Sequence, residues 1–538
     1  MKRLKKTFVA MAAAAAMCVS ALGTSTAALA ESVEYDDDAT IVWGLTSSWA
    51  DLTPFSNNSG NSYSGIVISM IYDKLVYCTK EGIYPRAAES WEMADDGMSM
   101  TFHLNPNSTF HDGEPVTASD WVFAMNLLAD PNSGFADHSA LNIYAGTNDA
   151  GDVEEGQELG IYAVDDYTLE VNFKNPMKED TYLISYSWLL TPLPEHLLGD
   201  VPSENIASNE FFQAPVGSGP CKFNSVVAGS ELHLDRFEDY YLGEAHYSQM
   251  VLRVMSSTAL ATALMSGEID CQFSQISNDE AMGLQSLDNI TVEMVEEPAT
   301  TWYLSFNNQR VTDQRVRQAV NYAIDKQLIA DQLLMGMAEP MESFLPFSNE
   351  MMPEDITYVH DTELASQLLQ EAMADGFDGH LTIATSAGTR ERMCAIIEQN
   401  LEAVGFDVDV EVVEGTAMFA DLTKGAEGTY DAGMIGFGIS PDVCYYDGQI
   451  DPTMATLSSV TDMTYKEYQQ AYQAESDPDA AKEIFQEYLT YVHDQAPVVF
   501  VVGTYDCTTY SSRLGDVTED LNSISLRDIG VWDWKVTK

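Results

Sequence analysis

Few residues in this chain stand at spacings that do covalent chemistry. The strings G-x-S-x-G and H-E-x-x-H do not occur, which removes the common serine-nucleophile turn and the zinc-protease helix. With 84 Asp and Glu any two carboxylates can be paired on paper, so acid–base pairing of the glycosidase kind carries no information. His196 has no second His or Cys at metal-ligand spacing and reads as a structural histidine. The glycine-rich segment 215–223 (PVGSGPCKF) reads as a backbone turn whose glycines supply positive φ, rather than as a phosphate cradle. What remains is the chemistry of recognition. Arg390 follows a predicted strand in a chain with only 25 Lys and Arg, and a guanidinium there suits a ligand carboxylate.

The elements that must place such groups are legible from period and capping. Residues 101–130 read as strand, turns at Asn105-Pro106-Asn107 and His111-Asp112-Gly113, then a helix. Thr117 caps it, Asp120 returns the bond, and Trp121, Met125 and Leu128 form its apolar stripe. Residues 41–44 read as a buried strand running into a loop over 45–54, which offers Thr46, Ser47 and Trp49; 64–76 read as an apolar helix. Residues 161–173 read as a hairpin, 302–307 as a strand, and Asp313 as the cap of the helix behind it. A strand over 381–385, a helix over 391–404 stopped by Gly405, and a strand over 406–413 make a βαβ unit. Its right-handed crossover makes the strands parallel, so the loop 386–390 lies at a strand's carboxyl end, where open α/β sheets hold ligands. A buried strand over 498–502 ends near Tyr505.

Length and composition exclude whole classes. A chain of 538 residues needs two or more lobes, and 45% hydrophobic residues exclude disorder. Residues 1–30 carry a basic start (Lys2, Arg3, Lys5, Lys6), an apolar run and Ala28-Leu29-Ala30 before Glu31, the pattern of an export signal. Cys18 offers a lipid-anchor alternative, disfavoured by the large Met17 before it. Losing four basic residues and no acid with that signal takes the net charge from −59 to −63, a field that repels nucleic acid and anionic membranes. Six later cysteines (Cys78, Cys221, Cys271, Cys394, Cys444, Cys507) lack C-x-x-C spacing; they are either paired in one of many ways or buried small hydrophobes.

Several strings then point to a family. Segment 110–126 (FHDGEPVTASDWVFAMN), Tyr84-Pro85 to Trp91, Pro215 to Pro220, VRQAVNYAIDK over 316–326 and 430–442 (YDAGMIGFGISPD) resemble, in order, the signatures of the family 5 extracellular solute-binding proteins of ABC importers. Arg86 and Ala87 depart from the family pattern tolerably, and Cys221 replaces an expected Tyr. The resemblance implies an α/β, two-lobed periplasmic-binding-protein-like fold with an inserted subdomain and a ligand cleft between lobes. Its expected parts are lobe I from 31–76, 215–297 and 503–538, the subdomain over 77–214, and lobe II over 298–502, with crossings near Thr300 and Val501.

The same resemblance implies function. The chain is expected to be exported to the periplasm or cell surface as a monomer without cofactor, metal or catalytic residue. It would capture oligopeptides or dipeptides and hand them to a membrane permease. Asp442 then stands for the acid that holds a peptide's amino group, Phe437 for the cleft aromatic, and Gly438 and Thr46 for backbone contacts. Arg390 takes the carboxylate, with Ser47, Trp49, Trp302 and Tyr505 beside the cleft. The alternative is an oligosaccharide-binding protein of the same fold, which would stack sugars on Trp49, Trp302, Phe437, Tyr445 and Tyr446. A nickel reading is disfavoured because 436–447 contains no histidine.

Overall fold

Among the described residues two large sheets organise the chain, one of seven strands and one of six. The computed structural model describes residues 34–49, 51–55, 62–79, 82–243, 245–272, 278–294, 297–440, 443–505, 507–515, 517 and 530–538. The elements below belong to the unit Tyr35–Lys538. The first sheet runs Ile290–Met294, Cys507–Ser511, Cys271–Gln272, Thr40–Leu45, Gln249–Val254, Glu231–Arg236, Cys221–Val227. The second runs Ala338–Pro340, Val498–Thr504, Thr300–Phe306, Ala432–Gly438, His380–Thr385, Asp407–Val412. A four-stranded antiparallel sheet, Ala88–Met93, Ser99–Leu104, Thr168–Asn172 and Ile161–Asp165, lies in the segment between the first two strands of lobe I. This is the α/β, two-lobed arrangement expected from the sequence.

Burial explains the strand sequences. The six-stranded sheet is covered on both faces, so the run VVFVV needs no polar alternation. Val499 and Val501 join Leu304, Phe306 and Met434 in one core, while Val498 and Phe500 join Tyr303 and Ile435 on the other face. Ile41, Trp43 and Leu252 share a continuous core with Phe102, Trp121, Leu169 and Tyr182, so the four-stranded sheet packs directly with the first sheet. The helix Ala118–Ala129 forms as expected: Asp120 accepts from the Thr117 amide at 2.8 Å, and Trp121, Met125 and Leu128 are fully buried. The βαβ unit also forms, with His380–Thr385 parallel to Asp407–Val412 and Gly405 ending the helix Thr389–Val404 at φ 112°.

Three local expectations change. The apolar helix is Ser62–Ile71 and stops before Val76, which instead begins the strand Val76–Thr79. Beyond Ile71 the backbone is bonded elsewhere: Gly219 donates to the Ile71 carbonyl at 2.9 Å, and the Asp73 amide donates to Ser218 at 3.3 Å. Gly217 and Gly219 do not adopt positive φ. They are glycine because the chain passes too close: a Cβ on Gly217 would stand 1.9 Å from the Ile71 carbonyl oxygen, and one on Gly219 2.6 Å from that of Met70. Arg86 is more than a tolerable departure. It is 1% exposed and its Nε lies 2.6 Å from Asp73, whose carboxylate also accepts from Tyr240, Tyr241 and the Lys74 amide.

The same motif pair is joined by His111. Its Nδ1 accepts from the Gly217 amide at 3.1 Å, so Nε2 carries the proton and donates to the Gly219 carbonyl at 2.9 Å. Burial pushes its pKa down to about 4. A neutral imidazole thus holds together two segments about a hundred residues apart. His196, read as structural, pairs with Asp112 at 2.9 Å. Cys221, Cys271 and Cys394 are buried thiols; Cys78 and Cys507 are buried as well.

Candidate functional site

Strand direction fixes where the site must lie. Thr40–Leu45 is parallel to Gln249–Val254 and Cys271–Gln272. Ile290–Met294 is parallel to them too, because it and Cys271–Gln272 both run against Cys507–Ser511. Their carboxyl ends therefore share the edge from which the chain leaves Met294 for lobe II. There, His380–Thr385, Asp407–Val412 and Ala432–Gly438 are parallel, and Thr300–Phe306 runs against Ala432–Gly438, so the chain arrives at Thr300 beside their carboxyl ends. The return crossing leaves at Thr504, paired with Thr300, and re-enters at Cys507, paired with Met294. Both sheets present the carboxyl ends of parallel strands to the crossing, the place where α/β sheets hold ligands.

Two of the predicted residues, Arg390 and Trp302, meet beside the second sheet. Thr300 pairs with Gly438, and Trp302 with Gly436 directly across from it. Arg390 sits in the first turn of Thr389–Val404, with its guanidinium 5.0 Å over the Trp302 ring. Among the described residues its one side-chain hydrogen bond is a long one, 3.4 Å to Ser386 Oγ. Among the described residues no carboxylate pairs with it, nor with Arg317, which bonds backbone carbonyls, or Arg392, whereas Arg86, Arg253, Arg310, Arg315 and Arg513 each meet one. Partial burial holds its pKa below the usual guanidinium range, and it stays charged. Tyr505 stands just past the crossing strand; its hydroxyl donates to Glu339 at 2.9 Å, and burial with that carboxylate pushes its pKa up to about 12.

The other predicted residues are placed differently. Phe437, whose neighbour across the sheet is Thr301, turns to the opposite face and meets Tyr446 edge-on at 5.9 Å. Tyr446 is 3% exposed, stacked on Phe344, and its hydroxyl accepts from the Ser440 amide and donates to the Gly438 carbonyl. It therefore braces the loop that leads toward Asp442. Asp442 itself lies outside the described residues, as does the side chain of Tyr445. On the lobe I side, Thr46 Oγ1 lies 2.6 Å from the Tyr63 hydroxyl and Ser47 is exposed beside it, but Trp49 packs into the core.

Sequence reasoning missed Tyr63, Thr504 and Lys178. Thr504 accepts from the Trp302 indole at 3.0 Å; Lys178, in the inserted segment, donates to the Glu475 carbonyl of lobe II at 2.7 Å. Each is a polar residue given meaning by a partner far away in the chain, and no local spacing announces it.

Comparison with known proteins bears on the family and the fold. Residues 82–446 match the family described as bacterial extracellular solute-binding proteins, family 5 middle. The oligopeptide-binding protein AppA of Bacillus subtilis is 26% identical over 436 residues, 73% of this chain and 76% of AppA. Heme-binding protein A of Haemophilus influenzae is 26% identical over 85% of each chain. The solved DppA of Helicobacter pylori in complex with the peptide STSA superposes with a TM-score of 0.75 at 22% identity, over 93% of this chain and 98% of that one, a likeness of fold. The profile spans more than half of the sequence, and the chain belongs to family 5 of the bacterial extracellular solute-binding proteins.

Proposed function

We propose that the protein captures peptides between its lobes and delivers them, as an exported monomer without catalytic turnover, to the membrane permease of an ABC importer. The observation that carries the reading is Arg390: a guanidinium at the carboxyl end of a parallel strand with no acidic partner among the described residues. A peptide's terminal carboxylate supplies the missing charge, and a charge-assisted bond of this kind contributes about 1.5 to 3 kcal/mol. The names of AppA as oligopeptide-binding and of DppA solved with STSA support the same class of ligand. Asp442 remains the proposed partner of the amino terminus, on the strength of the family resemblance. Among the described residues no helix is long and apolar enough to cross a membrane.

The oligosaccharide alternative has less to stand on. Of the aromatics it would use, Trp49 and Tyr446 are buried and the Trp302 ring already carries Arg390. The test is calorimetric titration with short peptides as free acids and as C-terminal amides. Arg390→Gln is expected to weaken free-acid binding about ten- to a hundredfold and to leave amides nearly unchanged. Equal losses for both forms, or binding of oligosaccharides instead of any peptide, would overturn the proposal.

A further inference from the structure

Resting on the carboxylate-clamp reading of Arg390, we infer that Trp302 is the positioning residue of that clamp rather than a surface on which ligand stacks, and that Thr504 holds Trp302 in place. An arginine side chain is long and has many rotamers, so something must hold a guanidinium that has no ion-pair partner among the described residues. The hydrogen bond to Ser386, at 3.4 Å, is too long to do this alone. The indole face 5.0 Å below the guanidinium is the remaining support.

The ring is itself fixed from two directions. Strand register places Gly436 directly across from Trp302. A Cβ on Gly436 would come within 2.5 Å of Cζ3 and 2.8 Å of Cε3 and Cη2, so the ring lies against bare backbone that only glycine provides. At the other end of the indole, Nε1 donates to Thr504 Oγ1 at 3.0 Å, and Thr504 Oγ1 in turn lies 3.4 Å from the Thr300 carbonyl. Thr504 and Thr300 end the two strands that cross between lobes and pair with each other. The series Arg390, Trp302, Thr504, Thr300 therefore links the anion-binding group to both crossing strands. A shift of one crossing strand against the other re-aims the guanidinium.

The test measures preference for carboxylate rather than affinity alone. Alanine-containing peptides of two to nine residues, each as free acid and as amide, are titrated into wild type, Arg390→Gln, Trp302→Leu, Trp302→Phe, Thr504→Val and the Trp302→Leu/Arg390→Gln double variant. Trp302→Leu is expected to lower the acid-over-amide preference about tenfold while amide affinity moves less than about twofold. Trp302→Phe and Thr504→Val, which keep the fold's bulk, are expected to lower it by about threefold, and the double variant to match Arg390→Gln alone. Equal loss for acids and amides, or no change in preference in any of the Trp302 and Thr504 variants, overturns the positioning role. Loss of preference in Arg390→Gln with none in the Trp302 and Thr504 variants overturns this inference and leaves the clamp standing. An unchanged preference in Arg390→Gln, or no binding of any peptide, overturns both.

Discussion

Lys178 and Glu475 lie 297 positions apart in the chain, and the Lys178 ammonium donates to the Glu475 carbonyl at 2.7 Å while sitting 4.6 Å over the ring of Tyr472. Glu475 caps the carboxyl end of the helix Thr464–Ala474, so a cation there also meets the negative end of the helix dipole. Lys178 leads into the helix Glu179–Ser185, whose residues share the lobe I core. The contact thus spans from one lobe to the other. A separation of the two sheets would break it, so the contact favours their association.

Replacing this lysine should therefore loosen the closed form. Lys178→Met is expected to raise the open-to-closed ratio about fivefold, roughly 1 kcal/mol. Small-angle scattering of the ligand-free protein should show a larger radius of gyration, and ligand should dissociate several-fold faster. Superimposable scattering curves and equal dissociation rates would show the contact to be idle.

Stability should depend on pH through His111. The unfolded imidazole binds its proton near pH 6.5, the folded one near pH 4, so between these values the unfolded state holds more protons. The contribution is complete above about pH 6.5, declines as pH falls, and is gone below about pH 4, amounting to at most about 3 kcal/mol. His111→Gln offers an acceptor and a donor that do not titrate. The stability gap between wild type and this variant, from urea denaturation, should narrow between pH 7 and pH 4; a constant gap would be evidence against the neutral clamp.

The buried pair of Arg86 and Asp73 makes a sharper prediction. Arg86→Leu strands a carboxylate that is fully enclosed, and should cost about 3 to 5 kcal/mol. Arg86→Leu/Asp73→Asn removes both charges and should recover most of that loss. If the double variant is no better than the single one, packing of the guanidinium on Trp532, 4.9 Å away, matters more than charge.

Gly217→Ala should be among the most damaging small substitutions, costing more than about 3 kcal/mol, since its Cβ would collide with a backbone oxygen that cannot move aside. Gly113→Ala, where beyond its chain neighbours no described atom lies within 4 Å of the added Cβ, meets only the strain of φ 94° and should cost about 1 to 2 kcal/mol. Thermal unfolding of the two variants side by side checks the order.

The sequence by itself determined what depends on neighbours a few residues apart. The Thr117–Asp120 cap, the Gly405 stop, the βαβ unit over 380–412 and the order of the family motifs all rest on short-range period and backbone preference, and these are written in consecutive residues. The position of Arg390 after a parallel strand was legible for the same reason, because such a loop has a fixed place in an α/β sheet. Tertiary structure alone decided what Arg390 rests on, that Trp49 packs into the core, that Arg86 answers Asp73, and that the glycines of PVGSGP serve close approach rather than a left-handed turn. Each depends on a contact between distant segments, where a side chain's meaning is set by the distance and desolvation that folding creates.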